Sequence, residues 1–150
     1  MKFDEMYTKF WDEFGQGKKM VLSTSLNDIV TSRMMSVVYV ESALYFQTDR
    51  TFRKYEQLRG NDNVALCIDN IQIEGKCREI GHPKECLTFC DAYKKQFPSS
   101  YDRYTFLENE RLFVVEPTYI QRWIYIEGDP FVERYDVKEE IYDLHRYSGV

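Results

Sequence analysis

RMMSVVYVESALYFQTDRTFRK, residues Arg33 to Lys54, is the stretch on which the reading of this chain turns. Met34 to Val40 and Ala43 to Thr48 are apolar runs rich in β-branched and aromatic residues, and Glu41-Ser42 between them predicts a tight turn, hence a hairpin. A helix start follows immediately. Arg33, Thr48, Thr51, Arg53 and Lys54 then lie where chain ends converge. Cations and hydroxyls gathered at a strand end and a helix N-terminus suit an anion, because free backbone N–H groups and the helix dipole favour negative charge there. Phosphate is the expected anion. Arg53 and Lys54 fall in the helix's first turn, where cations are unfavourable unless a bound anion compensates. The competing reading is a hairpin with ordinary solvated charges.

Upstream, Phe3, Met6, Tyr7, Phe10, Trp11 and Phe14 recur at helical spacing with charged residues between them, predicting an amphipathic helix that Gly15 and Gly17 end. Met20 to Ser25 reads as a strand, Asn27-Asp28 as a turn, and the chain re-enters as a strand from Ile29 to Val40. Downstream, Thr51 is the expected N-cap of a helix from Phe52 to Arg59 that Gly60 closes. Asn63 to Ile68 and Ile71 to Ile80 predict a half-buried antiparallel pair, with Gly75 marking a bulge or a close backbone approach. Pro83 opens a helix with Cys86, Phe89, Cys90, Tyr93 and Phe97 on its apolar face, and Pro98 with Ser99-Ser100 ends it. Tyr101 to Glu110 reads as a short helix or loop. Leu112 to Val115 and Tyr119 to Glu127 read as two strands broken by Pro117, Phe131 to Tyr135 as a short strand, and Lys138 to Tyr147 as a final helix with Ile141 and Leu144 inward. His145 and Arg146 suit the last turn of such a helix.

The 150 residues suit one domain, 1–150, without repeats or linkers, mainly β with flanking helices. A formal charge of −5 and a pI near 5.1 disfavour nucleic acid and anionic membranes as partners. The first residues, MKFDEMYTKFWDEF, lack a secretory signal pattern, so a cytoplasmic location is the working expectation. Cys67, Cys77, Cys86 and Cys90 are then read as buried thiols in a reducing compartment. His82, Cys86 and Cys90 are evenly spaced, but without an evident fourth ligand no metal is expected.

The ordered set Arg33-Met34-Met35-Ser36, Gln47-Thr48 and Arg53-Lys54 resembles the pyridoxamine 5′-phosphate oxidase-like family of FMN-binding split barrels. The likeness continues through NDNVALCI at Asn61 to Ile68, the strand containing Gly75, and FVVEPTYIQRW at Phe113 to Trp123, and so covers most of the chain. It implies a six- to seven-stranded antiparallel split β-barrel. It also implies FMN as cofactor, with the phosphate on Arg33, Thr48, Arg53 and Lys54, the ring along the backbone of Met34 to Ser36, and Gln47 as a further cofactor-binding residue. A homodimer with flavin at the subunit interface follows from the same resemblance, with Asn70 and Trp123 as cross-subunit contacts. Where the oxidases proper carry a Lys for a substrate phosphate, this chain has Val38, and their C-terminal Arg-x-His segment is not recognisable. The resemblance therefore carries the cofactor and not that substrate, and lies nearer the nitroimidazole-reductase-like branch. Dinucleotide, P-loop, nucleophile-elbow and zinc-protease motifs are absent, and flavin chemistry needs none of them. The expected function is an FMN-dependent reductase passing electrons from NADH or NADPH to a small electron-poor molecule such as a nitroaromatic or quinone. A flavin-binding module without turnover and an enzyme of pyridoxamine 5′-phosphate oxidase type are the alternatives, and deazaflavin and heme stay open beside FMN.

Overall fold

Between α1 (Lys2–Phe14) and α2 (Arg53–Gly60), the chain folds β1 (Gly17–Leu26), β2 (Ile29–Val40) and β3 (Ala43–Asp49) into an antiparallel meander. The structure is a computed structural model and describes residues 2–150. Both meander turns, Asn27-Asp28 and Glu41-Ser42, place two consecutive residues at positive φ between 48° and 69°. That is type I′ backbone, whose twist matches the strands it joins. β4 (Asn63–Ile68) pairs with β1, and β5 (Ile71–Glu79) with β4. A 3₁₀ turn at Pro83–Glu85 leads into α3 (Leu87–Gln96) and α4 (Pro98–Tyr104). The 17-residue strand β6 (Glu110–Ile126) then pairs with β5 along much of its length and with β3 through its first part. The β3–β6 pairing closes a six-stranded barrel, the fold expected from the sequence, and β7 (Asp129–Asp136) and β8 (Ile141–Arg146) extend the outer half of β6.

The barrel interior is packed with Met20, Leu22, Val37, Leu44, Phe46, Leu66, Ile73, Phe113 and Ile120. Helix α1 packs its aromatic face on this cluster. Phe3, Phe10, Trp11 and Phe14 are buried, and Trp11 lies flat on Tyr39 with ring centroids 4.0 Å apart. Each such side chain contributes roughly 1.5–3 kcal/mol on burial. Beside the helix, Glu133 is buried but fully partnered: Arg122 Nε donates to Oε1 at 2.5 Å and the Tyr142 hydroxyl to Oε2 at 2.6 Å. The Arg122 guanidinium also lies over the Phe10 ring, and the Tyr135 hydroxyl donates to the Met6 carbonyl. One buried carboxylate thus ties α1, β6, β7 and β8 together.

Several sequence expectations need correction. The final helix does not form: Ile141–Arg146 is β8, because Tyr142 and Leu144 at a two-residue step pair with the open side of β7, and Tyr142 reaches Glu133. Pro117 does not break β6. It sits opposite Gly75, where the register shifts, so its missing N–H takes no ladder bond away, and the Thr118 hydroxyl donates to the Glu74 carbonyl there. A Cβ on Gly75 would lie 2.8 Å from the Glu116 carbonyl oxygen, which is the close approach that position signalled. Pro98 and the serines begin α4 rather than ending the helical region. Thr51 does not cap α2; Phe52 is the N-cap and Thr51 hydrogen-bonds Asp49 instead. Cys77 and Cys90 are buried as expected, whereas Cys67 is exposed.

Removing the cation from a buried ion pair leaves the acid desolvated and uncompensated, at a cost of about 3 kcal/mol. Arg122→Met should therefore lower the urea unfolding midpoint strongly, while Arg78→Met, whose salt bridge to Glu116 is exposed, should change it little.

Candidate functional site

β2 and β3 are paired only over Val38–Val40 against Ala43–Tyr45. Beyond those rungs they part, β2 held by β1 and β3 by β6. The gap is a cleft of about 460 Å³ with Met34, Met35 and Ser36 along one wall and Gln47, Thr48 and Asp49 along the other. Helix α2 contributes Lys54 and the preceding Phe52, and the α3–α4 segment contributes Tyr93, Ser100, Tyr104 and Leu107. Glu110 closes the polar end. Met34, Phe52, Tyr104 and Leu107 are all exposed, giving the cleft an apolar rim.

The hydroxyl oxygen of Thr48 is buried and has no hydrogen-bond partner, although Thr48 lines the cleft. A buried unsatisfied hydroxyl costs roughly 1–3 kcal/mol, a cost that a polar atom entering the cleft would relieve. Lys54 makes no salt bridge among the described residues; its ammonium lies 5.3 Å from the Phe52 ring centroid. Burial and the charge of Arg33 depress its pKa, with Glu110 and Asp49 opposing. A partly desolvated cation that makes no salt bridge, in the same cleft as an orphaned hydroxyl, suits an anionic group, and the apolar rim suits a flat apolar body. A hollow of about 330 Å³ on the outer face, lined by Ser23–Ser25 and Asn63–Ala65, contains no such unpartnered buried atom.

Arg33 has a different position from the one its sequence context suggested. Its guanidinium does not line the cleft; it donates to the Leu22 carbonyl, Thr24, Thr31 and Gln57 at 2.6–3.2 Å. Gln57 on α2 is buried, and its Oε1 also accepts from Thr24 and Thr31. Arg33 therefore pins the helix that carries Lys54 onto the barrel. Desolvation and then Arg53 lower its pKa, so Arg33, Arg53 and Lys54 form one positive neighbourhood. Arg53 itself is exposed and outside the cleft lining.

Met34, Met35, Ser36, Gln47, Thr48 and Lys54 are brought together in the lining of one cleft. Asn70 and Trp123 are not with them. They lie at the far end of β5 and β6, where Asn70 Nδ2 donates to the Trp123 carbonyl at 2.7 Å. Gln47 is buried and accepts from Thr105. Val38 is fully buried under α3 with Phe89, Cys90 and Tyr93, so that position is sealed from solvent. His82 and Cys90 hydrogen-bond to backbone groups of Lys84, Leu107 and Pro83. Sequence reasoning missed Asp49, Phe52, Tyr93, Ser100, Tyr104, Leu107 and Glu110; a buried acid inside the polar run ENER has no periodic signal of its own.

The sequence matches no protein-family model and no curated protein. Solved structures do match. PhzG from Burkholderia lata, in complex with tetrahydrophenazine-1-carboxylic acid, aligns over 98% of this chain and 91% of its own at 12% identity and a TM-score of 0.62. A pyridoxamine 5′-phosphate oxidase-related, FMN-binding protein from Nostoc punctiforme aligns over 87% of each chain at 11% identity and a TM-score of 0.62. HutZ, a heme storage protein from Vibrio cholerae, aligns over 78% of this chain and 91% of its own at 15% identity and a TM-score of 0.60. With the closed barrel, the parted strands and these likenesses together, the chain has the pyridoxamine 5′-phosphate oxidase-like split-barrel fold.

Proposed function

We propose that the cleft binds FMN and that the protein is a flavin-dependent reductase of small, flat, electron-poor molecules. The observation that carries this reading is the unpartnered Thr48 hydroxyl beside the unpaired Lys54, at one end of a gap between parted strands. Thr48 and Lys54 hold the phosphate, and Arg53 and Arg33 add positive potential from outside the cleft. The backbone of Met34 to Ser36 and the Gln47 side of the gap hold the ring. When bound, FMN supplies the capacity to accept a hydride from NADH or NADPH and pass electrons onward. The chain's own contribution is placement and exclusion of water. Met34, Phe52, Tyr104 and Leu107 offer adaptable apolar surface for a planar substrate such as a nitroaromatic or quinone. Val38 lies sealed under α3, so it provides no cation for a second phosphate.

The same reading includes a homodimer. The exposed rim of the cleft is left for a second subunit to cover, and Asn70 and Trp123 of the partner subunit are the residues assigned to that contact. A two-fold arrangement gives two equivalent sites.

Four measurements test the reading. In flavin fluorescence titrations, Lys54→Ala should weaken FMN binding about tenfold or more, since charge-assisted contacts contribute roughly 1.5–3 kcal/mol. Thr48→Val should act with opposite signs, stabilising the ligand-free protein by about 1 kcal/mol in urea unfolding while weakening FMN. Unchanged FMN affinity in both variants would place the site elsewhere. Anaerobic mixing with NADH or NADPH should bleach the flavin, and a nitroimidazole or quinone should restore its absorbance. A flavin that neither nicotinamide reduces supports a binding module without turnover, and rapid oxidation of pyridoxamine 5′-phosphate overturns the reading of Val38. Sedimentation should give a dimer at micromolar concentration; a monomer with FMN fully bound rules the dimer out.

A further inference from the structure

The polar end of the cleft holds two acids beside its cation, and their surroundings differ. Asp49 Oδ1 accepts from both the backbone N–H and the hydroxyl of Thr51, each at 2.7 Å, and these contacts hold its pKa below the usual value. Glu110 sits directly across the last β3–β6 rung from Asp49 and is only 6% exposed. It makes no salt bridge among the described residues. Burial, and then the Asp49 charge, push its carboxyl up to about 7, with Lys54 pulling the other way. In the free protein Glu110 is therefore balanced between its two forms near neutral pH. Since the unpartnered Thr48 hydroxyl lines the same cleft, the acids flank a place that awaits a ligand rather than a solvated acidic patch.

A phosphate placed against Thr48 and Lys54 brings negative charge next to Glu110 and takes for itself the cation that favours the carboxylate. Both changes favour the neutral acid. We propose that Glu110 is a proton-uptake site coupled to the cleft, so that a phosphate-bearing ligand arriving at Thr48 and Lys54 draws a proton from solvent onto the Glu110 carboxylate and is held more weakly as the solution turns alkaline. This rests on the flavin reading above and adds how that site is regulated. One O–H bond forms on the carboxylate, the proton comes from bulk water, and no electrons move.

The groups facing Glu110 are Asp49 on β3, Lys54 on α2, Tyr93 on α3 and Tyr104 on α4, with Arg33 acting on Lys54. Burial raises the Tyr93 phenol, which stays neutral throughout. Lys54 is the one competitor, because its depressed pKa also weakens phosphate binding as pH rises. The sign for Glu110 follows from linkage. Below its free pKa the acid is already protonated and adds no slope; above it, affinity falls by up to about tenfold per pH unit until the pKa of the complex is reached. A phosphate monoester has its second ionisation near about 6 and contributes little slope in that window.

The experiment measures FMN and riboflavin affinity by fluorescence between about pH 7 and 9 for the wild type, Glu110→Gln and Lys54→Arg. The number of protons taken up by the wild type and by Lys54→Arg is counted by calorimetry in buffers of different ionisation enthalpy. For the wild type, FMN affinity should fall with pH and calorimetry should register proton uptake. Glu110→Gln should remove the slope and Lys54→Arg should keep it, and riboflavin, which lacks the phosphate, should show none. A flat wild-type profile without proton uptake overturns the coupling while leaving the flavin site standing. A slope that survives in Glu110→Gln, vanishes in Lys54→Arg, or is equal for riboflavin also overturns it. If FMN binds at no pH, both this inference and the flavin reading fall. If Glu110→Gln does not fold, the Lys54→Arg variant decides the matter, because a slope and proton uptake that persist there cannot come from the lysine.

Discussion

β2 and β3 separate after three rungs, and the site depends on their being able to do so. Two strands of a sheet rarely part in the middle, because each leaves backbone donors and acceptors without partners. Here each strand has another neighbour. β2 runs against β1 for ten rungs, and β3 runs against β6 for six. The barrel therefore stays closed around its core while one seam stands open. The peptide groups along that seam face a cleft rather than each other. The β3–β6 ladder that permits the opening also ends in the Asp49–Glu110 rung, so closing the barrel and building the polar end of the cleft are one structural event.

The two buried glutamates show how differently one fold can treat the same side chain. Glu133 receives a guanidinium and a phenol, and it fastens α1 and the outer strands to the barrel. Glu110 receives neither, and burial with a like charge raises it toward neutrality. A fully partnered buried charge specifies structure, whereas an unpartnered one stays responsive to whatever enters beside it. A similar division separates Arg33 from Lys54. Arg33 spends its donors on holding α2 in place, and Lys54 keeps its charge free at the end of the helix so held.

Much of this was legible in the sequence because it is local. The hairpin follows from two apolar runs and a two-residue turn, and the convergence of Thr48 with Lys54 follows from a strand ending just before a helix. Gly75 announced a close approach, although its partner Glu116 was not deducible. What the sequence hid is what distant pairing decides. Glu110 is buried because β6 returns to β3, and no residue near it in the chain indicates that. Val38 is sealed by a helix that begins far downstream, and the role of Arg33 depends on Gln57 pointing back from α2. The last segment was misread for the opposite reason: Ile141 and Leu144 satisfy a helical step locally, while the available side of β7 and the reach of Tyr142 to Glu133 decide for a strand.

That last strand also leaves the extended sheet with one margin beyond the barrel. A terminal strand presents backbone groups to which another chain could add, which is a route to intermolecular pairing and aggregation. β8 is short, and it carries Asp143 and His145, paired at 2.8 Å, together with Arg146 held to Asp129 at 3.1 Å. An incoming strand would have to lie alongside those charges while finding only six residues to follow. Shortness and charge together make β8 a poor template for an added strand, a matter that does not arise at the edges of a closed barrel.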